Sequence, residues 1–225
     1  MPRTTSDLQL LDTRQMNVVH SFFRRELRLA GGLVRRVAPD DHRRAKVVGS
    51  HLEFLERILH EHHTTEDELL WPLLLERVPH DLAPIVHLME CQHLQVDSLL
   101  SRIGVLRPSW QASPDTEMRE ELSGLYDELY VALAEHLDDE ERRLLPLAAR
   151  CLDQREWNAL GERARSDGRR REMALVFGML QHDGDPEVVA GMLTTAPAPV
   201  RLLVPWLARR AFRRHALAVH GTATP

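Results

Sequence analysis

The stretch HHTTEDELLWPLL at residues 62–74 returns in altered form as HLDDEERRLLPLA at residues 136–148. Both stretches begin with a His, place a Glu four residues later and an acid directly after that Glu, and have a Pro ten residues after the His. Residues i and i+4 of an α-helix lie one turn apart on the same face. Each stretch therefore predicts a helix that carries an imidazole and a carboxylate side by side.

A single upstream His precedes each of these His–Glu pairs at a matching distance. The six residues of the two copies are His20, His62 and Glu66, followed by His93, His136 and Glu140. One His on an apolar helix face is more often a hydrogen-bonded core residue than a metal ligand. Two ordered copies with matching flanks are hard to explain by packing, and they predict that all six residues bind metal.

Residues 1–152 show helical periodicity, with apolar residues recurring every three or four positions and no alternation typical of strands. Pro and Asp residues divide this region into predicted helices at residues 12–37, 41–78, 81–106 and 116–151. The third helix is expected to end before Pro108, with RPSWQASPDT as a loop. Long helices joined by short links imply antiparallel neighbours. The predicted fold class is all-α, an up-down-up-down four-helix bundle with a C-terminal helical extension.

The inward face of each predicted helix is apolar except for the six His and Glu residues. Without a cation, two carboxylates in such a core would lack partners, at a cost of several kcal/mol. Imidazole and carboxylate ligands together suit iron or manganese, and zinc is a further candidate. Cys91 and Cys151 have no metal-ligand spacing. The pattern therefore predicts a two-metal site without cysteine ligands.

Four neighbouring polar residues are candidates to contact the ligands rather than the metal. They are His63, Asp67, Glu90 and Glu141. A carboxylate beside a ligand imidazole commonly accepts a hydrogen bond from the other ring nitrogen. His63 is predicted to lie on a solvated helix face, together with Glu53 and His60.

Pro72 and Pro146 lie at equivalent positions inside the second and fourth predicted helices. A Pro within a helix removes one backbone hydrogen bond, and its ring clashes with the preceding turn. We therefore expect both helices to kink just beyond the predicted metal ligands.

The charge of the chain changes after residue 152. Residues 1–152 hold 18 basic and 26 acidic side chains, a net charge of −8, whereas residues 153–225 hold 11 and 8, a net charge of +3. We expect a metal-binding bundle at residues 1–152 and a separate C-terminal extension at residues 153–225. Gly and Pro residues divide the extension into two or three short helices before a final basic, amphipathic one.

The final helix is predicted to have a basic face and an apolar face. The residues of the two faces are Arg209, Arg210, Arg213 and Arg214, opposite Leu203, Leu207 and Phe212. We interpret it as a helix docked on the bundle with its arginines in solvent. Contact with a protein partner or an anionic surface is the alternative.

The composition bears on the cellular location of the protein and on the partners that it can bind. No apolar run approaches the roughly 20 residues that span a bilayer, and the N-terminus lacks the apolar core of a secretory signal. Aromatic residues make up 5% of the chain, which argues against a base-stacking surface for nucleic acid. We expect a cytoplasmic protein without a nucleic-acid partner.

The order H…HxxxE…H…HxxxE is similar to that of the hemerythrin-like, or HHE cation-binding, family, which has bacterial and animal members. The resemblance covers residues 12–150. It implies a non-haem di-iron centre with two iron ions per chain, which an oxo or hydroxo group can bridge, and it makes manganese or zinc less expected. Some bacterial members are linked with oxidative or nitrosative stress.

Two departures separate this chain from the oxygen-carrying members. Those have a further His one turn before the third-helix His, where this chain has Met89, and they end in HxxxxD rather than HxxxE. The resemblance then implies a centre that binds or turns over O2, H2O2 or NO, with a peroxide-decomposing (catalase-like) or other oxidoreductase activity as an open question. A redox or oxygen sensor acting through the C-terminal helices, a di-iron oxygenase with an organic substrate and a metal-free scaffold are the alternatives.

Overall fold

The computed structural model describes residues 10–80, 82–167, 169, 171–194 and 196–225, and these residues form helices without any strand. The α-helices are α1 (Arg14–Arg35), α2 (His42–Thr65), α3 (Trp71–Arg77), α4 (Ala83–Ala112), α5 (Thr116–Asp139), α6 (Leu145–Cys151), α7 (Gln154–Asp167), α8 (Met173–Asp183), α9 (Pro186–Gly191) and α10 (Ala198–His220). A π-helical turn, π1 (Glu66–Leu70), joins α2 to α3, and a second, π2 (Glu140–Leu144), joins α5 to α6. The predicted all-α fold class is confirmed.

Four rods form the bundle: α1, α2–π1–α3, α4 and α5–π2–α6. The first rod packs against the second and fourth, and the third packs against the same two. Asp41 and Asp115 begin α2 and α5, where each side chain accepts a backbone N–H bond, from Arg44 at 2.9 Å and Met118 at 2.8 Å. Consecutive rods joined by such short links are neighbours around a ring, as the up-down-up-down prediction requires.

The bundle interior contains two apolar clusters with a polar layer between them. Along α2 and π1, for example, Leu59 belongs to one cluster and Leu70 to the other. Along α4, Met89 and Val96 are divided in the same way. The predicted metal ligands lie between these positions on every rod, so the apolar clusters close the layer from above and below.

Each π-turn shifts the buried stripe of its helix by one residue. Regular helical spacing from His62 and Glu66 predicts Leu69 and Leu73 in the core, but Leu70 and Leu74 are the fully buried residues. A π-turn holds one residue more than an α-turn, and here the Trp71 N–H donates to the Glu66 carbonyl five residues earlier. The same bond joins Leu145 to Glu140.

The two prolines lie directly after the π-turns, in the first turn of α3 and of α6. The first N–H groups of a helix segment are the ones that can go without an intrahelical partner. The distortion expected from Pro72 and Pro146 therefore takes the form of a π-turn that ends where each proline begins a new segment.

Helix α4 continues through Pro108 to Ala112, so the predicted loop at this point is wrong. A Pro inside a helix costs about 3 kcal/mol, but burial of a Trp side chain typically contributes about 3–5 kcal/mol relative to Ala. Trp110 is fully buried in the main apolar cluster. Arg107 is also buried, and its Nε donates to Glu56 Oε1 at 2.7 Å. Tertiary packing of this last turn therefore outweighs the local helix-breaking effect of Pro108.

The extension packs against the bundle rather than projecting from it. Helix α7 adds Trp157 to the apolar cluster around Trp71, and α10 adds Phe212 and Ala216 to the main cluster. Helix α8 lies between α1 and α10. Gly178 makes this approach possible, because a Cβ there would collide with the Ala208 carbonyl oxygen.

The predicted faces of α10 are only partly right. Phe212 is buried and Arg213 is exposed, as expected, but Leu203 and Leu207 are 58% and 46% exposed. The apolar residues in the first part of α10, which we expect on the bundle from the sequence, are therefore exposed to solvent. Within the described residues, none of the helices has the length and apolar character needed to cross a bilayer.

Candidate metal centre

Seven side chains from four rods meet in the polar layer of the bundle. They are His20 from α1, His62 and His63 from α2, Glu66 from π1, His93 from α4, His136 from α5 and Glu140 from π2. We call this set the His–Glu layer. It contains all six residues that the repeated pattern singles out, together with His63.

Glu66 lies between imidazoles of two different rods. Its Oε1 is 3.5 Å from His62 Nε2, and its Oε2 is 3.6 Å from His93 Nε2. Glu66 belongs to both groups of donor atoms that approach one another within 4.8 Å: one with His63, His93 and His136, and one with His20 and His62. Glu66 is therefore a carboxylate that could bind a cation held by either donor group.

Glu140 has the equivalent position on the other side of the layer. Its Oε2 is 3.3 Å from His20 Nε2 and 3.6 Å from His136 Nε2. His136 belongs to one donor group and His20 to the other. Both carboxylates therefore reach imidazoles of both groups, and each begins a π-turn at the same point of its rod.

His63 is the residue whose position the sequence interpretation missed. Its side chain is buried, and its ring stacks on His93 with 4.0 Å between ring centroids. The prediction that it lies on a solvated face is therefore wrong. Its spacing was a usable signal, because His63 follows the buried Leu59 by four residues and precedes Glu66 by three. His63 brings a fifth imidazole to the layer, whereas Met89 is buried in the adjacent apolar cluster.

Most polar atoms of the layer have no hydrogen-bond partner. The unpaired buried atoms are Nε2 of His20 and His62, both ring nitrogens of His63, and both carboxylate oxygens of Glu66 and Glu140. A buried polar group without a partner costs about 1–3 kcal/mol. Cations that accept these lone pairs would remove the cost, and the donor set of imidazole and carboxylate is one that iron and manganese accept. The residues present therefore fit a metal centre.

The pKa shifts of these groups also favour a metal centre. Burial, and then the charges of Glu140 and Asp67, raises the pKa of Glu66 well above its ordinary value. Burial likewise raises the pKa of Glu140. Burial, and then neighbouring imidazoles, lowers the pKa of His62, His63 and His136 far below the ordinary value. Neutral imidazoles are the form that binds metal, and bound cations would compensate two ionised carboxylates.

An acid directly after each central Glu orients an imidazole of another rod. His93 Nδ1 donates to Asp67 Oδ1 at 2.8 Å, and His20 Nδ1 donates to Glu141 Oε1 at 2.9 Å. With Nδ1 protonated, the Nε2 lone pair of each ring points into the layer. Each copy of the motif therefore supplies an acid that fixes the tautomer of the upstream His of the other copy.

Gln92, and not the predicted Glu90, is the residue of α4 that contacts a side chain of the layer beside His93. Glu90 does not reach the layer, since it lies on the outer face of α4 with its Oε2 2.7 Å from His87 Nδ1. Gln92 is buried, with its Oε1 3.4 Å from His136 Nδ1 and its Nε2 donating to Asp139 at 3.1 Å. At 100° per residue, Gln92 falls within the arc of the buried Val96, Leu99 and Ile103, whereas Glu90 lies outside that arc.

Together the helical bundle and its buried His–Glu layer define a metal-binding helical protein. Residues 12–148 match the family model described as the hemerythrin HHE cation binding domain. The match covers more than half of the 225-residue chain, and the chain belongs to this family. Neither the curated proteins nor the solved structures provide a match.

Proposed function

We propose that this chain is a di-iron protein that binds or turns over small oxidants, O2, H2O2 or NO, in the response to oxidative or nitrosative stress. The observation that carries the proposal is that Glu66 and Glu140 each lie between the two groups of imidazoles. Family membership adds that the domain binds cations. Iron fits this donor set better than zinc, for which four ligands are typical.

The layer divides into two ligand sets of unequal size. His20 and His62 would hold one ion, and His63, His93 and His136 the other, with Glu66 and Glu140 shared. Bound iron would supply the one-electron chemistry towards small oxidants. The chain itself brings five imidazoles together in the layer, and two apolar clusters would exclude water from it.

The surroundings of the layer favour a small reactant. His62 is the most exposed of the seven side chains, at 12%, and lies against Phe23 with ring centroids 5.3 Å apart. Two shallow clefts on the described surface lie elsewhere, one around Leu99 and Val131 and one around Glu56. A diatomic molecule or a peroxide needs only a narrow path, and this supports small oxidants over an organic substrate.

Iron content and reactivity test the proposal. Protein produced in iron-replete medium should contain about two iron ions per chain, and Glu66→Gln with Glu140→Gln should remove nearly all of it. Glu90→Gln is the matched control, because Glu90 lies outside the layer. Rapid release of O2 from H2O2 by the iron-loaded protein would identify a peroxide-consuming enzyme, whereas a spectral change with O2 or NO alone would identify binding. Full iron retention in the double variant would refute the assignment.

A regulatory module is the second candidate, and the exposed apolar end of α10 favours it. The exposed residues are Leu202, Leu203, Trp206 and Leu207, and they lie next to the basic side chains of the same helix. A partner that binds there would respond to the state of the bundle below. Leu203→Ser with Trp206→Ser should abolish such binding without changing iron content, whereas an enzyme without a partner should be unaffected in every assay.

We also place this function in the cytoplasm. Cys91 is exposed and Cys151 is partly buried, and both are free thiols. Thiols of this kind persist in a reducing compartment. Measurement of both thiols in protein isolated from cells under alkylating conditions tests the proposal, which requires both to be reduced.

A further inference from the structure

A second group of buried His and Glu residues lies where the C-terminal extension meets the bundle. It consists of Glu26 from α1, His51 from α2 and His220, the last residue of α10, and we call it the Glu26 cluster. Glu26 Oε2 is 3.2 Å from His51 Nε2 and 3.2 Å from His220 Nε2. The side chains are 0%, 0% and 4% exposed, so water does not solvate them.

The three facing atoms lack hydrogen bonds in spite of their proximity. Glu26 Oε2, His51 Nε2 and His220 Nε2 are buried without a hydrogen-bond partner. Both imidazole nitrogens lie within ion-pair distance of the carboxylate oxygen but make no hydrogen bond to it. Three unpaired polar atoms in one buried place are costly unless something between them accepts their lone pairs.

We propose that the Glu26 cluster binds a divalent transition metal ion, and that zinc is the ion it fits best. Two imidazoles and one carboxylate, with the fourth position left to water, are a known zinc ligand set. Zinc bonds of about 2.0 Å in a tetrahedron separate the ligand atoms by about 3.3 Å. Both distances from the Glu26 oxygen to the imidazole nitrogens, at 3.2 Å, agree with that spacing.

The remaining atoms of two ligands are held by neighbouring side chains. Glu26 Oε1 accepts a hydrogen bond from Arg25 Nη2 at 2.5 Å, which leaves Oε2 for the cluster. His51 Nδ1 lies 2.9 Å from His215 Nε2, and a proton on His51 Nδ1 would leave its Nε2 lone pair free. Ligand imidazoles in metal sites commonly donate their other N–H in this manner.

The charge states of the cluster suit a cation. Burial alone would raise the pKa of Glu26, but His220, His51 and Arg25 outweigh burial and hold it far below its ordinary value. Burial lowers the pKa of His51. Both pKa shifts favour the forms that bind metal, an ionised carboxylate and a neutral imidazole.

The fold brings His220 to this place by ending α10 there. Gly221 has a φ of 78°, the left-handed conformation that terminates a helix. Arg44 of α2 donates to the Ala218 carbonyl at 2.7 Å and also to the Val219 carbonyl, so the helix end is attached to the bundle. A metal ion in the Glu26 cluster would join α10 to α1 and α2 and thereby fix the extension on the bundle.

The Glu26 cluster is separate from the His–Glu layer. His51 precedes His62 by eleven residues on the same helix, which is about 16 Å along its axis. The buried Leu52, Leu55 and Leu59 occupy the core face of α2 between them. The proposal therefore does not depend on the identity or reactivity of the metal in the layer.

Zinc retention by the iron-loaded, full-length protein tests the proposal. Wild type and His42→Gln, which changes an exposed His at the start of α2, should each retain about one zinc ion per chain after gel filtration. His220→Gln should weaken zinc binding at least 100-fold, and zinc should raise the melting temperature of the first two proteins only. Equal zinc retention in wild type and His220→Gln, or none in wild type, would overturn the proposal.

X-ray absorption at the zinc edge provides a second test that needs no variant. The iron-loaded wild-type protein with zinc added should show two imidazoles among light-atom ligands, with its iron content unchanged. Release of iron as zinc binds, with three or more imidazoles around zinc, would assign the zinc to the His–Glu layer and refute the second site.

Discussion

The two copies of the repeated stretch build unequal halves of the same layer. His62 is followed by His63, whereas His136 is followed by Leu137, which is fully buried in the main apolar cluster. One position therefore gives a fifth imidazole in the first copy and core packing in the second. One donor group contains three imidazoles and the other two. The duplication supplies the frame of the layer, and a difference at a single position makes it asymmetric.

The copies also differ in how they hold their orienting acids. Asp67 Oδ1 accepts from Trp71 Nε1 at 2.7 Å as well as from His93. Glu141 instead accepts from Arg24 Nη1 at 2.6 Å and from His20. A neutral indole supports one acid and a charged guanidinium supports the other. Charge-assisted bonds are the stronger kind. Glu141, which orients His20 in the donor group with two imidazoles, is therefore the more firmly held acid.

The largest effect is expected from removing the asymmetry. His63→Leu gives the first copy the residue of the second and leaves two imidazoles in each donor group. Iron affinity at one position should fall at least about 100-fold, because loss of groups that merely orient ligands already costs 10–100-fold. Iron content during dialysis against a chelator measures this effect.

His60→Leu is the control for that experiment, since it makes the same change at an exposed position of α2. Both variants should unfold at similar temperatures when free of metal. If His63→Leu retained iron as firmly as His60→Leu, His63 would be a packing residue and the two halves would be equal in metal binding.

A smaller effect is expected from the acids that orient His93 and His20. Glu141→Gln should weaken iron binding by about 10–100-fold, since His20 is one of two imidazoles in its group. Asp67→Asn should cost less, because its group keeps His63 and His136. The iron release rates of the two variants compare the two acids directly. Faster release from Asp67→Asn than from Glu141→Gln would show that the acid supported by the indole matters more.

The smallest effect is expected from the prolines after the π-turns. Pro72→Ala and Pro146→Ala restore an N–H that the first turn of a segment can leave unpaired. Each should change the free energy of unfolding by less than about 1 kcal/mol, and iron content should stay the same. A large loss of iron from either variant would indicate that the proline, and not the packing around Leu70 and Leu144, maintains the π-turn.

Much of the layer could be predicted because helical spacing is local. The first predicted helix, residues 12–37, corresponds to Arg14–Arg35, and the six residues of the repeated pattern meet in one layer. A His and a Glu four residues apart share a face wherever the helix packs. Partly exposed Glu90 and buried Gln92 were harder to predict, because neither belongs to the repeated pattern.

Errors arose where tertiary packing outweighed a local signal. Pro108 predicts the end of a helix, yet the burial of Trp110 keeps α4 helical beyond it. Leu203 and Leu207 predict a docked face, yet α10 packs through Phe212 and Ala216. In each case the burial of one side chain depends on elements far away in the chain, which no local pattern contains.

The sequence by itself determined the approximate extents of the four long helices and which His and Glu residues share a helix face, since both follow from spacing along one helix. Only the tertiary structure decided which of two adjacent histidines enters the layer and where the π-turns shift the stripes, because both depend on how closely the rods approach. It also assembled Glu26, His51 and His220, which lie on three separate helices and meet only when α10 docks.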